Sequence, residues 1–179
     1  MLNVDNALVL MIDVQEKLVS ATNAFDEAIN AEKIIHGAKI LNIPVVVTEQ
    51  YPSGLGQTVE NVAQHFSSNV KMFEKRTFSA VGEENIFSCV EQYGKKQIIL
   101  FGIELHICVL QTALELLDKG YEVFVVQNAS KSRKILDFEI GLNLLKTKGV
   151  KILSLEILLF DLLKTSKHPN FKEVQALIK

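Results

Sequence analysis

The stretch QIILFGIELHICVLQTALELLDKGYEVFVV (97–126) decides the fold. It begins with a continuous apolar run, QIILF (97–101), and turns through GIELHI. Helical spacing follows over 107–118, then Gly120, then a second apolar run, EVFVV (122–126). Continuous rather than alternating runs suit strands buried on both faces, and a glycine past a helix suits its exit. Strand, helix and strand at this spacing make a parallel unit with a crossover helix.

The same rhythm extends both ways. ALVLMI (7–12) and PVVVT (44–48) are further apolar runs, VKILSL (150–155) is a less clear one, and NVKMFEK (69–75) is shorter and more polar. Helical spacing recurs over 25–41, 58–66, 83–93 and 134–148, with acids opening one helix at GEEN (82–85). The expected fold is α/β: a three-layer αβα arrangement, Rossmann-like, with a doubly wound, mostly parallel sheet of about six strands in the order 3-2-1-4-5-6. No repeat or linker divides the chain, so residues 1–179 are expected to form a single domain, with SKHPNFKEVQALIK (166–179) as a docked final helix.

Composition narrows function. A formal net charge of −2 offers no electrostatic case for nucleic acid or an anionic membrane. No apolar run approaches the roughly 20 residues that a bilayer requires. MLNVDNALVLMID has no basic flank and reads as a first strand rather than a signal peptide. Cys89 and Cys108 are too few for a disulfide framework, which makes a reducing, cytoplasmic compartment the expectation.

In an open α/β sheet, ligands bind beyond the carboxyl ends of the strands, where strand order reverses. That rule selects Asp13, TEQYPSGLG (48–56), Lys75 in FEKRTFSAV, and Cys108. With the order above, Asp13 and Cys108 face each other from neighbouring strands. A helix N-terminus and a nearby ammonium favour a thiolate, so Cys108 is expected below the ordinary thiol pKa. Partial burial raises an aspartate toward a usable base, and amides of the turn IELHIC are placed to hold an oxyanion. Together these parts describe acyl transfer through a thioester.

ALVLMIDVQ, EKRTFSAV and GIELHICVLQTALELLDKGYEV together resemble the isochorismatase-like cysteine hydrolases, the superfamily that includes nicotinamidases and N-carbamoylsarcosine amidase. TEQYPSGLG and HPNFKEVQALIK further resemble its isochorismatase-domain-containing branch. The resemblance implies Asp13 as general base, Lys75 as electrostatic partner and Cys108 as nucleophile. It also implies a cis peptide at Ile103–Glu104, an oxyanion hole from the amides of Glu104 and Cys108, and a homo-oligomer, a dimer or larger. Two departures stand out. Leu105 occupies a position where many relatives carry Thr, and TEQYPSGLG lacks the Asp-x-His metal motif of nicotinamidases. The expectation is a hydrolase without metal or cofactor that acts on a small amide, carbamoyl or related compound. A catalytically weak or inactive interaction protein is the alternative, and a thiol redox sensor a third reading.

Plainer roles compete at each position. Cys108 alone is a small core residue, Asp13 a helix cap, and Lys75 a solvated neighbour of Arg76. Cys89 reads as core and His106 as a supporting or surface residue. Tyr51, Phe78 and Leu105 are expected at the substrate pocket. His36, His65 and His168 fall on separate elements and make no ligand set, while GLGQTV (54–59) is an incomplete dinucleotide fingerprint.

Overall fold

The computed structural model describes residues 1–179. Six strands, β1 (Ala7–Ile12), β2 (Val45–Gln50), β3 (Val70–Lys75), β4 (Gln97–Gly102), β5 (Glu122–Val126) and β6 (Lys151–Leu153), form one sheet. All pair in parallel, in the order β3-β2-β1-β4-β5-β6. The longer helices are α1 (Glu16–Thr22), α2 (Phe25–Ile40), α5 (Glu84–Gln92), α6 (Leu110–Asp118), α7 (Ile135–Thr147) and α8 (Leu155–Leu163). Three are short: α3 (Pro52–Leu55), α4 (Glu60–Ala63) and α9 (Phe171–Ala176).

The continuous apolar runs have a direct physical cause, since a strand's side chains alternate between two faces and here both faces are covered. Ala7, Val9 and Met11 of β1 join one core with residues of α2 and α8, whereas Leu8, Leu10 and Ile12 join the other with residues of α5, α6 and α7. Burying each such Val, Leu or Ile side chain contributes about 1.5–3 kcal/mol, so a charge anywhere within β1 would be costly. Edge strand β3 is different. Lys71, Met72 and Glu74 are exposed, and its charges discourage pairing with another chain. Only Lys75 at its end is buried.

Three expectations shift in detail. The run 150–155 gives only a three-residue strand, because Ser154 caps α8 by accepting from the Ile157 N–H at 3.3 Å. The helix expected over 58–66 is a single turn. The segment expected to start α6 at 107 is instead a π-helical turn, Leu105–Val109, that leads into it. The tail docks as expected, with Val174 buried in the α2 and α8 core.

Candidate active site

The carboxyl ends of the four strands β1 to β4 meet at one place. Asp13 follows β1 with a left-handed backbone, φ 52°, a conformation that Asp tolerates better than most residues at a cost of about 1–2 kcal/mol. Its N–H donates to Thr48 O at 3.1 Å, and its carboxylate is fully buried. It does not cap α1, whose flanking residue is Gln15. Thr48 Oγ1 donates to Asp13 Oδ1 at 2.7 Å.

Lys75 pairs with Gln50 in the β2–β3 register and reaches Asp13 from the sheet's edge. Its Nζ lies 2.7 Å from Asp13 Oδ2, with both side chains wholly buried. The same Nζ donates to Gln50 Oε1 at 2.6 Å, Phe78 O at 3.1 Å and Thr77 O at 3.2 Å. Its three hydrogens are thus shared among four oxygens, those of Asp13, Gln50, Phe78 and Thr77. The 2.7 Å contact to Asp13 Oδ2 is among the shortest that this ammonium makes, so Lys75 holds the carboxylate as a charge-assisted partner. Arg76, one residue on, is exposed and stacks its guanidinium over the Tyr51 ring at 4.1 Å. Adjacent residues thus point apart, as alternation requires.

Gly102 ends β4 at φ 137°, where a Cβ would fall 1.9 Å from Ile12 O, so only glycine lets β4 pass this close to the residue before Asp13. Ile103 N–H donates to that same Ile12 oxygen at 3.0 Å, and Ile103–Glu104 is cis. The π-helical turn then carries Cys108, 7% exposed, into the core beneath α6. Thr112 Oγ1 donates to Cys108 O at 2.7 Å and accepts from Ala80 N–H at 2.9 Å, which ties the segment after Lys75 to the cysteine's helix.

The resting charge state differs from the sequence expectation. Cys108 is not a pre-formed thiolate: burial, and then the Asp13 carboxylate, push its pKa up to about 12 against the pull of Lys75. The single ammonium is already matched by a carboxylate, so the thiol feels little net positive field. Burial also pushes the Asp13 carboxyl above its ordinary range, opposed by Lys75, Thr48 and Cys108. The arrangement is a neutral thiol, a carboxylate held by Thr48 and Lys75, and a fixed cation. Such a set can move a proton from sulfur to carboxylate as a bond forms at sulfur.

Among the expected pocket residues, Tyr51 and Phe78 are 43% and 56% exposed beside the lysine segment. Leu105 is a correction. It is fully buried, and its Cδ2 packs against Gly141 of α7, so it is a core residue rather than a pocket wall. His106 is a supporting residue, with Nδ1 2.8 Å from Ser132 Oγ. Sequence reasoning missed Thr48 and Gln50 as partners, although both lie at the strand end that the carboxyl-edge rule selects. It also missed Ser132 and Arg133, for which the sequence carries no signal. His36 and His65 do come together, with rings stacked 4.7 Å apart and His65 Nε2 3.1 Å from Glu32 Oε1. No group of three or more His, Cys, Asp or Glu is placed to hold a metal ion.

With this geometry in view, the model of the isochorismatase domain family matches residues 7–157. The chain belongs to the isochorismatase family. It is 39% identical over 168 residues to isochorismatase domain-containing protein 1 of Danio rerio, covering 93% of this chain and 59% of that protein. It thus spans little more than half of that relative's length. Isochorismatase domain-containing protein 2 of the same fish is 36% identical, with 99% of this chain and 89% of that protein covered. Among solved structures, one described as MAR1 ribonuclease from Caenorhabditis elegans superposes with a TM-score of 0.93 at 36% identity, covering 99% of this chain and 91% of that one. Membership of the isochorismatase family names no substrate for this chain.

Proposed function

We propose that this chain hydrolyses a small amide, carbamoyl or related compound through a thioester on Cys108. The observation that carries this reading is the buried Asp13–Lys75 ion pair, whose carboxylate faces the Cys108 thiol. Cys108 Sγ attacks the carbonyl carbon while its proton passes to Asp13. The amides of Glu104 and Cys108 hold the oxyanion, and collapse expels the leaving group with that proton. Water then attacks the thioester carbon while Asp13 again takes a proton, the C–S bond breaks to release the acid, and that proton returns to Cys108 Sγ. Lys75 keeps Asp13 charged and oriented through the cycle. Tyr51 and Phe78 form the rim of the substrate site. No resident metal is required in this scheme, and activity is expected to survive prolonged chelation.

The test is intact-protein mass spectrometry during turnover of small activated amides and esters. A mass increase equal to the acyl group, mapped to Cys108 and absent from Cys108→Ala, supports the reading. Turnover that persists in Cys108→Ala refutes it.

Phosphodiester cleavage is a second reading, favoured by the ribonuclease description of the nematode structure. Against it stands the net charge of −2, which gives no field to gather a polyanion. RNA cleavage lost in Cys108→Ala would move it to first place. Self-association accompanies the main proposal: Ile135, Leu136 and Ile140 of α7 are 77%, 62% and 58% exposed, and light scattering measures the assembly.

A further inference from the structure

A segment that sequence reasoning did not single out, Lys131-Ser132-Arg133, grips the turn between β4 and α6 at every residue from 102 to 106 except Ile103, which it meets as a strand-like bridge. Lys131 N–H donates to Gly102 O at 3.4 Å, and Leu105 N–H donates to Lys131 O at 2.8 Å. Ser132 Oγ accepts from His106 N–H at 3.4 Å and meets His106 Nδ1 at 2.8 Å. Arg133 holds the Glu104 carboxylate twice over: its N–H donates to Oε2 at 2.8 Å, and its Nε reaches Oε1 at 3.0 Å and Oε2 at 3.2 Å. Glu104 is nearly buried while Arg133 is 61% exposed, so the arginine pins the turn from the solvent side. The Ile107 and Val109 N–H groups are spent on Glu104 O, at 3.1 and 3.3 Å. The Glu104 and Cys108 amides take no part in any of these bonds.

We infer that Arg133, with Ser132, is a positioning residue for the oxyanion amides: the Arg133–Glu104 pair sets where the Glu104 N–H points during acyl transfer. The inference rests on the thioester reading above and adds to it a residue outside the Asp13, Lys75 and Cys108 set. Arg133 touches neither the thiol nor the carboxylate that takes its proton. Its loss therefore impairs only those reactions of Cys108 that build up charge on a carbonyl oxygen. A displacement of about 1 Å in such a donor costs roughly 10- to 100-fold in rate.

Two reagents separate the cases. p-Nitrophenyl acetate acylates a thiol through an oxyanion: Sγ bonds to the acetyl carbon, the thiol proton goes to Asp13, and the C–O bond breaks to release p-nitrophenolate. Iodoacetamide alkylates the same sulfur by displacing iodide and forms no oxyanion. In Arg133→Ala the burst of p-nitrophenolate is expected to slow about 10- to 100-fold, while Cys108 alkylation stays within about twofold of wild type. Arg133→Lys, which keeps the charge but loses the planar fork, falls between. Because the alanine variant leaves Glu104 buried without its cation, Glu104→Gln/Arg133→Ala is measured beside it, with melting temperatures for all. That double variant is expected to regain stability without regaining the burst. Equal slowing of acylation and alkylation, or a burst unchanged in a folded Arg133→Ala, overturns the positioning role. A wild-type burst that does not require Cys108 overturns the thioester reading instead, so the two failures are distinguishable.

Discussion

The chain's two cysteines occupy contrasting sites. Cys89 sits half-buried on α5, and Cys108 sits on the turn below α6. Burial pushes both thiols up, so neither is marked out by its resting charge state. Their surroundings differ in the charges that face them. Cys89 feels a single lysine, Lys71, whereas Cys108 faces a carboxylate and an ammonium locked together. On the thioester proposal, the difference teaches that a proton acceptor at hand matters more for a buried nucleophile than a low resting pKa. A thiol held neutral until a substrate arrives is also guarded against oxidation and stray alkylation.

The sharpest way to break this comparison is to delete each sulfur in turn. Cys108→Ala is expected to lower turnover by about 10⁴-fold or more, as loss of a covalent nucleophile does, while Cys89→Ala stays within about twofold. Steady-state rates on any substrate that gives a Cys108 burst decide it.

Removing the proton acceptor comes next. Asp13→Asn is expected to slow acylation by about 10²- to 10⁴-fold without slowing Cys108 alkylation, because the Lys75 ammonium left unmatched favours the thiolate. The pH profile carries the same information. A protonated Asp13 cannot accept, so kcat/KM falls as pH falls through the Asp13 pKa. Burial raises that value, so the acidic limb lies above the ordinary carboxylate range. An acidic limb near pH 4, or one retained in Asp13→Asn, would contradict the assignment.

Lys75→Met tests the electrostatic half. It leaves Asp13 charged and alone in a dry site, which typically costs 3–5 kcal/mol, or drives the carboxyl to protonate. Urea titration is expected to show a large loss of stability at neutral pH, partly recovered in Lys75→Met/Asp13→Asn.

The smallest effect is alkaline. The unfolded chain releases the Cys108 proton near its ordinary pKa of 9.0, but the folded chain keeps it until about 12. Between those values the unfolded state binds fewer protons, so rising pH favours unfolding. The stability of wild type relative to Cys108→Ala is expected to be flat below pH 9 and to fall by about 1 kcal/mol per pH unit above it. Chemical denaturation at pH 8 and pH 10.5 reads the difference.

Much of this was legible beforehand. β1, β4 and β5 announced themselves because strands covered on both faces must be apolar at every position. Once the order β3-β2-β1-β4-β5-β6 is assumed, the convergence of Asp13, Lys75 and Cys108 follows from their place after strand ends. Leu105 was misread because its burial against Gly141, 36 positions along the chain, leaves no local pattern in the sequence. The π-helical turn escaped notice because its apolar spacing is indistinguishable from that of an α-helix over five residues.

The sequence by itself therefore determined the layer architecture, the strand ends that gather the candidate residues and the family. Those properties depend on periodicity and on residue type at a local position. Only the tertiary structure decided the charge states and the partners. Whether Cys108 is a thiolate depends on how much water is excluded and on whether one ammonium is shared with a carboxylate 95 positions away. How the Lys75 ammonium is held depends on Asp13, Gln50, Thr77 and Phe78 closing around it. The grip of Arg133 on Glu104 spans 29 residues and has no local pattern at all. Long-range electrostatics and hydrogen bonding are set by distances that a linear chain acquires only when it is folded.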